Sequence, residues 1–299
     1  MSDEILCVGE ILWDALPDGL FLGGAPFNVA SHLQALGQEV AFVSRVGDDR
    51  LGQEALRRIR ARGLGTDLMQ IDDTLPSGFV QVDLGSTGEP DYEILDPAAW
   101  DAITYTDTLD QHAEHADALV FGSLAQRALT SRQTIQRLCE ADLLRVFDVN
   151  LRPPFIDRDV VEHSLNSADV VKLNDDELQR MREWFDLAKG PEAAMSELAA
   201  TFGCHTVCVT WGGEGAGLWA EGHSWHHPGY TVETEDTVGA GDAFLSAFLT
   251  GLLAGRSGDL LLDLANRLGA YVATRAGAFP SYEFDDFDAL MDLDVGPRK

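Results

Sequence analysis

Ten residues near the C-terminal end, Glu235-Asp236-Thr237-Val238-Gly239-Ala240-Gly241-Asp242-Ala243-Phe244, join small residues to an aspartate and then to a helical pattern. Phe244, Ala247, Phe248 and Leu252 fall on one helical face, which predicts a helix starting here. The first N–H groups of a helix lack intrahelical acceptors, and the dipole adds positive potential there. Gly239, Ala240 and Gly241 leave those donors uncovered, so they predict a site for a phosphate or for charge developing in phosphoryl transfer. Asp242 lies within reach of the same anion. A carboxylate beside a phosphate is unfavourable unless it has work to do, and the obvious work is taking the proton of a hydroxyl that attacks phosphorus. The structural alternative is a Gly-rich loop ahead of a core helix.

Further strings supply partners for that chemistry. In Gly23-Gly24-Ala25-Pro26-Phe27-Asn28-Val29-Ala30, Gly23 and Gly24 let backbone approach a ligand, and Pro26 suits a helix start. Asn28 carries two donors and an acceptor, a match for sugar hydroxyls. Asp14, in Gly9-Glu10-Ile11-Leu12-Trp13-Asp14, follows a strand, where parallel sheets place ligands, and it can accept bonds from vicinal hydroxyls. Asp148-Val149-Asn150-Leu151-Arg152-Pro153-Pro154 presents Arg152 as a fixed cation on a loop stiffened by proline; it balances phosphate charge or forms a surface ion pair. Asn174 and Glu177, in Lys172-Leu173-Asn174-Asp175-Asp176-Glu177, have the spacing of a capping box. Thr210-Trp211-Gly212-Gly213-Glu214-Gly215 joins two strand-like segments. Neither a GxxxxGK[ST] P-loop nor a VAIK lysine is present.

In this order and from Gly9 to Ser281, the strings resemble the signatures of the ribokinase-like (PfkB) carbohydrate kinases, and GGAPFNVA with DxNLRP looks most like the fructokinases. The resemblance implies an α/β three-layer sandwich with a mostly parallel sheet and a small β lid, and MgATP-dependent phosphorylation of a sugar hydroxyl. Fructose is the first acceptor it implies, then 2-keto-3-deoxygluconate, then an adenosine-type nucleoside. A non-catalytic sugar- or nucleotide-binding protein is the alternative class. By the same resemblance Asp14, Gly23, Gly24, Asn28, Phe79, Gln81, Trp100 and Asn150 hold the sugar. Asn174, Thr210, Gly212, Gly215, Val238 and Asn266 hold ATP. Glu177 organises Mg2+ through water, and Asp236, Val238, Val272, Arg275, Gly277 and Ser281 surround a K+ ion. A homodimer formed through the lid is also implied.

The elements that must position these residues are legible in outline. Short apolar runs, Ile5–Gly9, Val40–Val43, Ala118–Phe121, Arg145–Val149, Asp169–Lys172 and Thr206–Thr210, alternate with helical patterns, which predicts a mostly parallel sheet covered on both faces. Segments 11–22 and 76–100 break the rhythm with strand-like pieces and predict the lid, inside a single domain spanning 1–299. Apolar residues at 45% suffice for a large core. No run nears the roughly 18 apolar residues of a membrane span, and the acidic N-terminus is unlike a secretory signal. The formal charge of −29, from 50 acidic and 21 basic residues, repels nucleic acid and anionic membrane, and it suggests a salt-adapted source. Only Lys172, Lys189 and Lys299 are lysines, so a nucleotide must be held by local donors and a metal ion. Cys7, Cys139, Cys204 and Cys208 read as reduced, buried thiols of a cytoplasmic protein.

Overall fold

A computed structural model of the protein describes residues 4–16, 19–84 and 90–280. The main sheet runs through β1 (Glu4–Val8), β4 (Glu39–Gly47), β5 (Met69–Asp72), β8 (Ala118–Gly122), β9 (Leu144–Asp148), β10 (Val170–Asn174), β11 (Thr206–Thr210), β12 (Ala216–Ala220) and β13 (His223–His227). Its order among the described residues is β13-β12-β11-β10-β9-β8-β1-β4-β5. Every pairing from β5 to β11 is parallel, and β12 and β13 add an antiparallel edge.

The strands are apolar on both faces because helices cover both. Leu6, Val8, Leu119, Phe121, Phe147, Val171 and Val207 pack under α3 (Asp107–Ala113), α4 (Leu129–Leu138), α5 (Arg158–Ser167), α6 (Asp175–Phe185) and α7 (Pro191–Phe202). Ile5, Cys7, Val120, Val146, Val170 and Cys208 point the other way, into α1 (Ala25–Ala35), α2 (Arg50–Ala61), α8 (Ala240–Leu253) and α9 (Gly258–Ala273). The period-two alternation thus divides one sheet between two cores. All four cysteines are free and buried in these cores.

A second sheet, ordered β3-β2-β6-β7, is the lid: β2 (Leu12–Leu16), β3 (Gly19–Gly23), β6 (Gly78–Leu84) and β7 (Pro90–Ile94). The chain enters it directly from β1 and leaves it directly into α1, so lid and sheet share the edge of one crevice. The lid's second entry is pinned by Asp49, the N-cap of α2, whose carboxylate accepts from Gly52 N at 2.7 Å, Ser77 N at 2.8 Å and Ser77 Oγ at 2.8 Å. Its exit is pinned by Arg127. That guanidinium donates to Leu95 O at 2.6 Å and to both oxygens of Asp101 at 2.8 and 2.7 Å, while lying 3.9 Å from the Trp100 ring centre.

Trp100 is therefore enclosed beneath the lid, fully buried under Arg127, and presents no face to a ligand. This corrects its assignment to the sugar: Trp100 sits in a short 3-10 turn, Ala99–Ala102, just beyond the lid strands. Removing one partner of a buried ion pair strands the other charge. Arg127→Met should lower unfolding free energy in urea by about 3–5 kcal/mol, and a loss below about 1 kcal/mol would show that Arg127 is not what anchors the lid exit.

Candidate active site

Gly239 caps α8 with φ 76°, the left-handed region that glycine enters most easily. A Cβ there would also lie 2.6 Å from Ala278 Cα, so the position is closed to side chains. This cap turns the Ala240 N–H back onto Thr237 O at 3.2 Å. Ala240 therefore does not supply a free donor as the sequence suggested. The N–H groups of Gly241 and Asp242 have no acceptor among the described residues, and they form the open part of the helix tip.

Asp242 Oδ2 accepts from Asn28 Nδ2 at 2.8 Å, which joins the start of α8 to α1 across 214 residues of sequence. Asn28, itself buried, is thus spent on orienting the carboxylate. Burial raises the Asp242 carboxyl to about 6, nearby Asp148 pushes the same way, and Lys172, Asn28 and Arg152 oppose it. Two more acids feel the same arginine. Burial lifts Asp14 to about 6 and Glu10 to about 7, in each case against Arg152, and Asp242 adds to the rise at Glu10. Arg152 is exposed, with its guanidinium bonded to the neighbouring Leu151 carbonyl at 3.0 Å. Asp14, Asp242 and Glu10 therefore all lie within electrostatic reach of Arg152.

Glu10 is the residue that reading the sequence missed. It is 2% exposed, and its Oε2 has no partner. The signal was available, since Glu10 follows β1 even more closely than Asp14 does. The two glycines make room for this pair of acids. A Cβ on Gly23 would lie 2.7 Å from Asp14 Oδ2, and one on Gly24, at φ 112°, would lie 2.5 Å from the Glu10 carbonyl oxygen.

The floor of the crevice is built from neighbouring strand ends. Asn150 holds φ 39°, a left-handed conformation that asparagine tolerates better than most side chains. Asn174 and Glu177 form the full capping box at α6, and Glu177 Oε1 also accepts from Leu151 N at 2.8 Å. Glu177 is thereby a clamp on the Arg152 loop. Thr210 pairs with Asn174 at the ends of β11 and β10. Gly212 is exposed, at φ 55°. Gly215 is explained by packing, because a Cβ there would strike the His227 carbonyl oxygen at 1.9 Å; it is not an open nucleotide contact.

Other positions scatter. Val238 is exposed at the rim. Asn266 is buried and bonds back to Leu262 O at 2.7 Å, so its amide is turned into α9 instead of lying open as expected for a base contact. Asp236 accepts from Val238 N and Gly277 N, both at 3.0 Å, which brings together two of the segments predicted for a cation. The Val272 side chain is in the core and its carbonyl accepts from Arg275 N at 3.0 Å. Arg275 is exposed over Tyr271, and Ser281 lies outside the described residues. Phe79 and Gln81 line a cavity of about 590 Å³ with Glu93, Asp96, Pro154 and Phe155, next to the Arg152 loop.

The model of the pfkB family carbohydrate kinases matches residues 19–284. The chain belongs to the pfkB family of carbohydrate kinases. It is 31% identical to a fructokinase of Klebsiella pneumoniae, over 96% of this chain and 98% of that one, and 32% identical to a fructokinase of Escherichia coli, over 93% and 95%. Among solved structures, a sugar kinase of Pyrococcus horikoshii in complex with ATP superposes with TM-score 0.80 at 27% identity, covering 94% of this chain and 96% of that one. A fructokinase of Xylella fastidiosa with bound ATP, at 23% identity, shares the fold with TM-score 0.85 over 97% of this chain and 98% of that one. This pfkB kinase is thus a phosphotransferase with a ribokinase-like fold.

Asp242 offers a test in the protein without ligand. Its folded value, about 6, lies above the usual 3.8, so the unfolded chain gives up this proton first. The buried carboxylate therefore costs stability above about pH 6, and the cost vanishes below about pH 4. Asp242→Asn should stabilise the fold at pH 7 by on the order of 1–3 kcal/mol, and chemical denaturation should show that gain shrinking as pH falls toward 4. A pH-independent difference would contradict the environment described.

Proposed function

We propose that this kinase transfers the γ-phosphoryl group of MgATP to a hydroxyl of a neutral monosaccharide, with fructose as the first candidate. The observation that carries the reading is Asp242: a carboxylate fixed by Asn28 at a helix tip with two open N–H groups, in one crevice with Asp14 and Arg152. A base poised near neutral pH takes the proton of the attacking alcohol. The N–H groups of Gly241 and Asp242 receive charge as the phosphoryl group moves, and Arg152 neutralises more of it. The lid excludes water, which would otherwise compete for the phosphoryl group.

Mg2+ supplies charge neutralisation on the phosphates. Among the described residues no group of three or more His, Cys, Asp or Glu is placed to hold a metal ion, so the ion's ligands come largely from phosphate and water. Each Glu177 oxygen accepts one backbone N–H and keeps a lone pair for a metal-bound water. The loops tied by Asp236 are proposed to hold K+ beside the helix tip, and replacing K+ by a large organic cation should then slow turnover.

Two features favour fructose over a sugar acid. The fructokinases of Klebsiella pneumoniae and Escherichia coli align along nearly the whole chain. The strings Gly23–Ala30 and Asp148–Pro154 resemble the fructokinase signatures. The exposed Arg152 is the one observation that favours 2-keto-3-deoxygluconate, since it can pair with a carboxylate. The four buried free thiols agree with a reducing, cytoplasmic setting, and a homodimer through the lid is part of the same proposal.

A coupled ADP-release assay on fructose, 2-keto-3-deoxygluconate, ribose and adenosine tests the assignment; fructose should give the highest kcat/KM. Asp242→Asn should lower kcat by about 10²–10⁴-fold with little change in KM. Near-normal turnover in that variant would sink the mechanism.

A further inference from the structure

Lys172 is one of three lysines in the chain, and it is 7% exposed. Its Nζ donates to both oxygens of Asp148, at 3.0 and 3.2 Å, and Asp148 is 4% exposed. The pair bridges neighbouring parallel strands, β9 and β10, whose Cα atoms at these positions are partners. The same ammonium lies 3.3 Å from where a Cβ on Gly241 would stand, directly beneath the helix tip. Burial alone would depress this lysine, yet Asp148, Glu177 and Asp242 together hold its ammonium above the usual range. A side chain whose only task was to join two strands would not need to be surrounded by three acids under the catalytic loop.

We propose that Lys172 is a positioning residue of the phosphotransfer reaction: locked on Asp148 beneath Gly241, it sets the charge of Asp242 and keeps the base in its carboxylate form. The inference rests on the proposed role of Asp242. The groups facing Asp242 are Asn28 from α1, Asp148 from β9, Lys172 from β10 and Arg152 from the loop after β9, with Glu10 after β1 in the same field. Of these, Asp148 disfavours the carboxylate, while Lys172, Asn28 and Arg152 favour it. The two members of one ion pair therefore act on the base with opposite sign. Asp14 feels Arg152 instead, so a titration belonging to Asp14 does not follow Lys172, whereas Glu10 is coupled to Asp242 and would follow it only indirectly.

The test is the acid limb of the kcat/KM profile against pH, measured on the sugar that the wild-type protein phosphorylates fastest. Asp148→Asn removes the opposing charge and leaves the lysine, so the limb should move to lower pH. Lys172→Met combined with Asp148→Asn removes both members of the ion pair, and its limb should return upward by about one unit, the low end of what a close opposite charge does to a carboxyl. Lys172→Arg should hold its limb near the wild-type position. Coincident limbs in Asp148→Asn and the double variant, with both still folded by thermal melting, would overturn the role of Lys172 and leave the kinase reading intact. A wild-type protein that phosphorylates none of the sugars would overturn the kinase reading, and this inference with it.

Discussion

Asp242 is held in place by a contact between the two ends of the chain, the 2.8 Å bond from Asn28. Much of the active-site architecture serves that contact. Helix α1 must start close to the lid, so residues 23 and 24 must be glycine, because a Cβ at either would run into Asp14 or the Glu10 backbone. Helix α8 must start against the loop at Ala278, so residue 239 must be glycine in a left-handed conformation. His32, one turn beyond Asn28 on α1, bonds Ala278 O at 3.0 Å through its Nε2. A single helix therefore fixes both Asp242 and the loop that packs on the N-cap of α8. The shape of the crevice follows from these close approaches more than from any large side chain.

Much of this was readable before the coordinates. The strands and helices of the main sheet follow the alternation of apolar runs with helical patterns, and the lid strands appear where that rhythm breaks. Asp14, Asn28, Arg152 and Asp242 were chosen for chemistry and position; the fold bonds Asn28 to Asp242 and sets Arg152 within electrostatic reach of Asp14 and Asp242. Such residues are legible because a functional polar side chain beside glycine stands out against apolar periodicity.

What was not legible depends on distances that spacing does not encode. Trp100 looks like a sugar platform until Arg127, far along the chain, is found stacked on it. Asn266 looks open until its amide is seen bonded to the preceding turn of its own helix. Gly215 fits a nucleotide loop in sequence, but the β13 carbonyl at His227 is what excludes a side chain there. Glu10 was overlooked for the converse reason: its place after β1 was a signal, but one shared by many structural residues, and its burial and unbonded Oε2 are what distinguish it.

The charge of the crevice connects these details to the acidity of the whole molecule. Among the described residues, Glu10, Asp14, Asp148, Glu177 and Asp242 are coupled to two cations there, Lys172 and Arg152. In a protein of formal charge −29, that ratio would repel a phosphate if every acid were ionised. Burial eases the conflict by raising Glu10 to about 7 and Asp14 and Asp242 to about 6, so the three do not all ionise at the same pH. The same burial strengthens each remaining interaction, because few waters screen it. An acidic enzyme can thus receive an anion without a basic surface, provided that its few cations lie at the helix tip and its acids are kept from ionising together. Lys172 under Gly241 and Arg152, within electrostatic reach of Asp14 and Asp242, are those cations, and the sequence spares almost no other lysine for the task.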